Sequence, residues 1–349
     1  MTSTPASASK KLNSLLQSLL GNETLVYIIK RVFQGLLTIL LASALSFAII
    51  QFAPGDYLST LRENPSISAE TIEELKRNFG LDKPAYKQYL LWLGQIVSRF
   101  DFGTSFTFGR SVSSLLLERV FNTLILSLSS IVVTWAIALP LGIIAAVNQN
   151  RLPDKLLRVI SYIGQGFPSF VTALLLLIVA QYLSPLLPIG GMTSVDHADL
   201  STVGKVLDIA WHLILPTLAL SVTSFAGLQR LTRGELLDVL RQDYIQTARA
   251  KGLPENKVIY VHALRNAINP LITLLGFEFA SLLSGAFITE TIFNWPGLGK
   301  LTLQAVFAQD IYVVMASLMM GAVMLIIGNL LADLLLKFAD PRIKLENLK

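Results

Sequence analysis

The sequence predicts an all-α membrane protein: six transmembrane helices, with a helical outer loop between the first two. Three observations carry that prediction. Apolar residues make up 53% of the 349 and charged residues only 15%, against about 25% charge in a soluble chain. Mean hydropathy is +0.59. Six runs are nearly free of charge, at 32–53, 120–147, 159–183, 209–228, 268–288 and 311–336, and each has the roughly 18 or more residues that one bilayer crossing needs.

Composition also excludes chemistry. The chain has no cysteine, which removes disulfides, thiolate metal sites and cysteine nucleophiles. Its three histidines, His197, His212 and His262, are scattered, so no metal or cofactor site is expected.

Residues 1–31 read as a cytoplasmic tail, Ser/Thr-rich at first and ending on Lys30 and Arg31. The first span, 32–53, is longer than the roughly 7–15-residue apolar region of a signal peptide, and Pro54-Gly55-Asp56 follows it in place of a cleavage site. It is expected to stay in the membrane.

The outer loop, 54–119, reads as two helices. Ile72, Leu75 and Phe79 recur at helical spacing and Gly80 is a natural stop. Pro84 opens a second helix, whose apolar stripe is expected to be Tyr86, Leu90, Leu93, Val97 and Phe100. Both helices are expected to cover the outer ends of the bundle.

The core, 120–336, carries the other five spans, and 337–349 is a cytoplasmic tail. Prolines punctuate three spans, at Pro140, Pro168 and Pro216, and Pro168 stands beside Gly164 and Gly166. A proline removes a donor and crowds the preceding turn, so kinks are expected there. They serve as hinges, as walls of a pathway, or as packing kinks.

Glu278 is the clearest ionisable residue inside a span. A charge at mid-membrane costs roughly 2.5–3.5 kcal/mol, so Glu278 is expected to face the bundle interior or water, or to be protonated, in a possible pathway or as a structural partner for another helix. Asp208 and Asp333 lie near span ends and need no special role. Trp211 suits an outer interfacial anchor, whereas Trp135, at mid-span, does not.

Charge sets orientation. Lys30 and Arg31 precede span one, and Arg151, Lys155 and Arg158 lie between spans two and three. Seven basic residues, from Arg230 to Arg265, lie between spans four and five, and Lys337, Arg342, Lys344 and Lys349 follow span six. The two short opposite loops hold Lys205 and Lys300 alone. Both termini are therefore expected in the cytoplasm. The outer loop has eight basic residues, but long loops translocate largely regardless of charge. The net charge of +5 thus has a topological origin. No aromatic–basic interleaving of the single-strand-binding kind is present, and nucleic-acid binding is not expected.

The informative segment is the coupling loop, 229–267, between spans four and five. Asp243 suits an N-cap, Tyr244, Ile245 and Ala248 share one face, and Gly252 with Pro254 and Glu255 ends one helix and begins the next. A short helix between two long ones results. Small side chains at Thr247, Ala248 and Ala250 allow close approach by a partner. Local physics leaves two readings open, a helix lying on the membrane surface and a docking element for a cytoplasmic protein.

The run Asp243-Tyr244-Ile245-Gln246-Thr247-Ala248-Arg249-Ala250-Lys251-Gly252 resembles the coupling helix of ABC importer permeases, specifically of the peptide/nickel (dipeptide and oligopeptide) family. The broad permease motif, Glu-Ala-Ala, three residues, then Gly, reads Gln246-Thr247-Ala248 to Gly252 here. The glutamate is absent and Thr replaces the first Ala, and His262-Ala-Leu-Arg-Asn stands where the broad motif has Ile-x-Leu-Pro. Both departures resemble the peptide subfamily's own version.

The resemblance runs along nearly the whole chain. It includes Phe52-Ala-Pro-Gly-Asp, Phe79-Gly-Leu-Asp-Lys-Pro, Asn122-Thr123-Leu124, Pro188-Ile-Gly-Gly, His212-Leu-Ile-Leu-Pro216, Glu290-Thr-Ile-Phe, Trp295-Pro-Gly-Leu-Gly299 and Asp340-Pro-Arg342.

The resemblance implies a type I ABC importer permease fold in a bacterial inner membrane. It implies half of a translocation pathway, completed by a second homologous permease, most simply as a heterodimer. It further implies two ATPase subunits on the cytoplasmic face and an extracytoplasmic substrate-binding protein. The segment Asp243 to Gly252 would dock the ATPase, with apolar contact from Tyr244, Ile245 and Ala248 and a charge contact from Arg249. The implied cargo is peptide, a nickel chelate or another small solute. No Gly-x4-Gly-Lys-Ser/Thr run occurs, and Gly204-Lys205 and Gly299-Lys300 lack the rest. ATP would therefore be bound by partner subunits, and this chain is not expected to be an enzyme. The alternatives are a gradient-driven transporter or channel, which would need broken helix pairs or a chain of buried charges, and a membrane-embedded enzyme, for which no residue cluster is evident.

Overall fold

The computed structural model describes residues 23–52, 68–78, 80–184 and 186–339, together with Leu58 and Arg62. The residues ahead of Glu23, Pro54-Gly55-Asp56, Phe79 and the residues from Asp340 on lie outside the described residues. The described part is helical apart from its loops and one isolated bridge between Thr104 and Ser111.

The helices, in chain order, are α1 (Glu23–Phe52), α2 (Ala69–Asn78), α3 (Ala85–Arg99), α4 (Val112–Val147), α5 (Leu152–Gly166), α6 (Ser169–Tyr182) and α7 (Thr202–Leu240). They continue with α8 (Asp243–Ala250), α9 (Glu255–Lys257), a π-helical turn (Val258–Ala263), α10 (Leu264–Ile292), α11 (Leu298–Phe307) and α12 (Ile311–Ala339). α1 starts ahead of the predicted span, so Lys30 and Arg31 lie on the helix. Among the described residues five helices are long and apolar enough to cross a membrane, and α5 with α6, bent by 99° at the break between them, brings the count to six where the pair is one span.

The three expected proline kinks are not alike. Pro140 and Pro216 sit inside continuous helices, as does Pro270. At Pro168 the helix breaks. Phe167 before it is extended (φ −101°, ψ 130°), the conformation that the following proline ring imposes.

The central pair is α4 and α7. A methyl group on Gly142 would stand 2.6 Å from Thr232 Cβ and 2.9 Å from the Gln229 carbonyl oxygen, so the two backbones approach to near contact there. α1 packs on α12. The Tyr27 hydroxyl donates to Asp333 Oδ2 at 2.5 Å, and Arg31 Nη2 donates to the same oxygen at 3.0 Å. Asp333, which the sequence left without a role, is thus the joint between the first and last spans.

The outer loop helix α3 is turned from its expected register. Tyr86, Leu90, Val97 and Phe100 are exposed, whereas Trp92 and Ile96 are buried. Tyr89 packs beside them, against the cluster that includes Phe47, Leu115 and Met315. The Trp92 indole donates to the Phe102 carbonyl at 3.0 Å, which fixes that choice. Buried Asp310, just before α12, accepts from Ser105 Oγ at 2.6 Å and from the Thr107 N–H at 3.0 Å.

Asp208 likewise has a role the sequence did not assign. It accepts from the Ser194 N–H at 3.0 Å and lies 2.7 Å from His197 Nδ1, tying the 3₁₀ turn Val195–Asp199 to α7. At the start of α11, fully buried Glu290 accepts from Thr123 Oγ1 at 2.6 Å and from the Lys300 N–H at 3.0 Å. The Leu298 N–H in turn donates to Thr123 Oγ1 at 2.7 Å. A carboxylate at a helix N-terminus satisfies donors that lack intrahelical partners. The close fit demands glycine at position 297, where a Cβ would meet Glu290 Oε1 at 2.1 Å.

Candidate functional site

α8 lies where expected, between the long helix α7 and the turn leading to α10. Gln242 occupies its N-cap position and Asp243 is its first helical residue, without a side-chain capping bond. This corrects the N-cap expectation; the carboxylate still lies in the first turn, where it suits the helix dipole. Gly252 adopts φ +75° and ends the segment as expected.

The faces of α8 divide cleanly. Ile245 (0% exposed) and Ala248 (7%) point into the protein's own core. They join Ile143 and Ala146 of α4, Leu236 and Leu237 of α7, and Val258, Ile259 and Ala263 of the π-helical turn in one cluster. At 100° per residue, Asp243, Thr247 and Ala250 lie on the opposite side, and all three are exposed. The expectation that Ile245 and Ala248 offer apolar contact to a partner is therefore corrected. They seat the helix, and the outward face is Asp243, Thr247 and Ala250, flanked by Tyr244, Gln246 and Lys251.

Tyr244 is exposed, and its hydroxyl accepts from Asn266 Nδ2 at 2.8 Å. Arg249 is engaged within the chain: its Nη2 donates to Glu255 Oε1 at 2.6 Å and its Nε to Oε2 at 3.2 Å. Donating these hydrogen bonds to the Glu255 carboxylate raises the guanidinium pKa. This pair braces the turn around Gly252. Beside it opens a cavity of about 300 Å³, lined by Gln149, Arg241, Gln246, Arg249, Glu255 and Ile259.

A second ionic joint supports the loop. Asp154, at the start of α5, is wholly buried and receives Arg233 of α7 in bidentate fashion. Arg158 lies 3.5 Å from the same carboxylate and the Asn150 N–H donates to it at 2.8 Å. Sequence reasoning counted Arg158 only as part of the cytoplasmic charge and passed over Asp154. The available signal was an acidic residue in the first turn of a helix that follows a cytoplasmic arginine.

Glu278 is remote from this loop. It sits in α10, partly exposed, and accepts from Trp135 Nε1 of α4 at 2.9 Å, with the Ser224 side chain of α7 as a second partner. Trp135, which did not fit an interfacial anchor, is thereby placed: it is the donor to this carboxylate. The structure brings Asp243 to Gly252 together as one element and leaves Glu278 as a separate feature. Among the described residues no cluster of three or more His, Asp or Glu could hold a metal ion.

Comparison with known proteins identifies relatives of the chain. Residues 138–345 match the family described as binding-protein-dependent transport system inner membrane component, and residues 24–129 match the corresponding N-terminal component. The oligopeptide transport system permease protein AppB of Bacillus subtilis is 41% identical over 319 residues, which span 91% of this chain and 99% of that one. The glutathione transport system permease protein GsiC of Escherichia coli is 37% identical over 320 residues, 91% of this chain and 98% of that one. A solved structure of the MetNI methionine ABC transporter in inward-facing conformations aligns with a TM-score of 0.50 at 15% identity, covering 65% of this chain and 97% of its own. At that identity the likeness concerns the fold alone.

Proposed function

The chain belongs to the family of binding-protein-dependent transport system inner membrane components, and from that premise we propose that it is the permease subunit of an ATP-driven peptide importer, coupled to separate ATPases through α8. The observation that carries the coupling role is the two-sided construction of α8. Its inner face is locked to the cytoplasmic ends of α4, α7 and the π-helical turn, and its outer face is small, polar and exposed.

The mechanical consequence is direct. A groove that grips Asp243, Thr247 and Ala250 and then moves carries Ile245 and Ala248 with it, and with them three spans. α7 is one helix of 39 residues, about 58 Å long at 1.5 Å per residue. It runs from the outer loop to the cytoplasmic turn without a break. Displacement at α8 therefore reaches the outer side as rigid-body rocking, and the pathway opens to one side at a time. Closure of two ATPase subunits on ATP supplies the motion, and a second homologous permease completes the pathway. An extracytoplasmic binding protein delivers the cargo. Peptide is the cargo class because relatives named for oligopeptide and glutathione transport align over nearly their full length. The protein would lie in a bacterial inner membrane with both termini in the cytoplasm.

The test must avoid the seat of the helix, since a bulky charge at Ala248 would break the core and report only misfolding. Ala250→Arg changes the outward face alone. Expressed with its operon partners, the variant should insert and purify normally but lose the ATPase subunits and ATP-driven uptake. Retention of both would remove α8 as the docking element. Purification of the wild-type chain free of any ATPase under several mild detergents would favour a gradient-driven transporter instead.

A further inference from the structure

Two carboxylates of α10 invite comparison. Glu290 is fully buried and accepts from Thr123 and from the start of α11, a structural tie between α4, α10 and α11. Glu278 differs in its exposure and its donors. It receives the single Trp135 indole N–H on Oε2 and has Ser224 as its other partner. None of the ion pairs among the described residues includes it. It also remains partly exposed. On the two helices that supply its partners, the hydroxyls of Thr134 and Thr223, next in sequence to Trp135 and Ser224, are buried without hydrogen-bond partners.

Two other joints between spans use neutral groups that satisfy each other: Ser161 Oγ donates to Gln229 Oε1 at 2.6 Å, and the Ser130 and Ser221 hydroxyls lie 3.3 Å apart. A partly exposed carboxylate near mid-membrane, aimed by an indole and in no ion pair among the described residues, is built to meet a cation from outside the chain. We infer that Glu278 is the site on which the positively charged amino terminus of a peptide rests during passage. This inference rests on the peptide-importer reading and adds to it a chemical requirement, a free ammonium group. The Trp135 bond holds the carboxylate's direction without neutralising it. One charge-assisted contact also suits a site that must release its cargo.

The test uses the complete importer in proteoliposomes, with its binding protein saturated by either trialanine or N-acetyl-trialanine, so that only steps after delivery are compared. The wild-type complex should carry trialanine faster. Glu278→Gln, which keeps the shape and an acceptor for Trp135, should reduce that preference about tenfold, the scale of one hydrogen bond to a charged group, with ATPase stimulation intact. Trp135→Phe, which keeps the carboxylate, should retain part of the preference. Equal preference in wild type and Glu278→Gln, or no preference in wild type, would overturn the site while leaving the importer standing. Failure of wild type to carry either peptide, with ATPase activity present, would instead overturn the peptide reading and this inference with it.

Discussion

Arg233 grips Asp154 through two parallel hydrogen bonds, Nε to Oδ1 at 2.6 Å and Nη2 to Oδ2 at 2.9 Å, across a separation of 79 residues. This bond joins the start of α5 to the C-terminal part of α7, a short way ahead of α8. Removing the acceptor leaves Arg233 without its partner and Arg158 without the carboxylate beside it. Asp154→Ala should destabilise the protein by about 3–5 kcal/mol, as expected for a buried pair that loses one partner. Thermal unfolding in detergent measures this, and Asp154→Asn should fall between the two.

Ile245 is the buried seat of α8. Ile245→Ala should cost about 2–5 kcal/mol by opening a cavity in the cluster it forms with α4, α7 and the π-helical turn. Thr247→Ala, on the exposed face, should stay within about 0.5 kcal/mol. Hydrogen exchange across residues 243–250 should rise for the first variant and not for the second.

Gly142 marks the closest approach of α4 and α7. Any Cβ there collides with Thr232 and with backbone. Gly142→Val should separate the helices and lower stability by about 1–3 kcal/mol, the usual range for overpacking. An unchanged melting temperature would mean that the helices are further apart than described.

Glu290→Ala should leave the Lys300 N–H without its acceptor and the Thr123 hydroxyl without its partner, at about 1–3 kcal/mol for each buried donor left unsatisfied. Amide protection at Gly299 and Lys300 should drop while the protection of α12 holds. Glu290→Gln keeps one acceptor oxygen and should lie between the two states.

The six spans were legible because each is a long apolar run, and length and composition need no tertiary information. The existence of α8 was legible for a similar reason: Gly252 and Pro254 are local stops. What α8 touches was not. Ile245 and Ala248 form an apolar pair at helical spacing, and such a pair reads the same whether it faces a partner or its own core. The register of α3 failed on the same ground, since Tyr86, Leu90 and Val97 on one side rival Trp92 and Ile96 on the other. Periodicity alone could not rank two apolar stripes; the Trp92–Phe102 hydrogen bond does. The prolines show a further limit. Pro140, Pro168 and Pro216 look equivalent in sequence, but whether a helix continues through a proline depends on how its neighbours satisfy the freed carbonyl. Asp154 and Arg233 are separated by too many residues for any local pattern to join them, and Trp135 found its place only once Glu278 was brought against it.

The bond between Tyr27 and Asp333 spans 306 residues, and this bears on how the protein is made. Of the described helices α1 is synthesised first and its main packing partner, α12, last. Through most of that interval α1 waits in the bilayer without α12, which its apolar outer surface of Phe33, Leu37, Leu41 and Leu45 equips it to do. Arg31 Nε can meanwhile donate to the Tyr27 hydroxyl on the same helix, but both still lack Asp333. A nascent chain that stops short of Asp333 leaves α1 and α12 unjoined at this point.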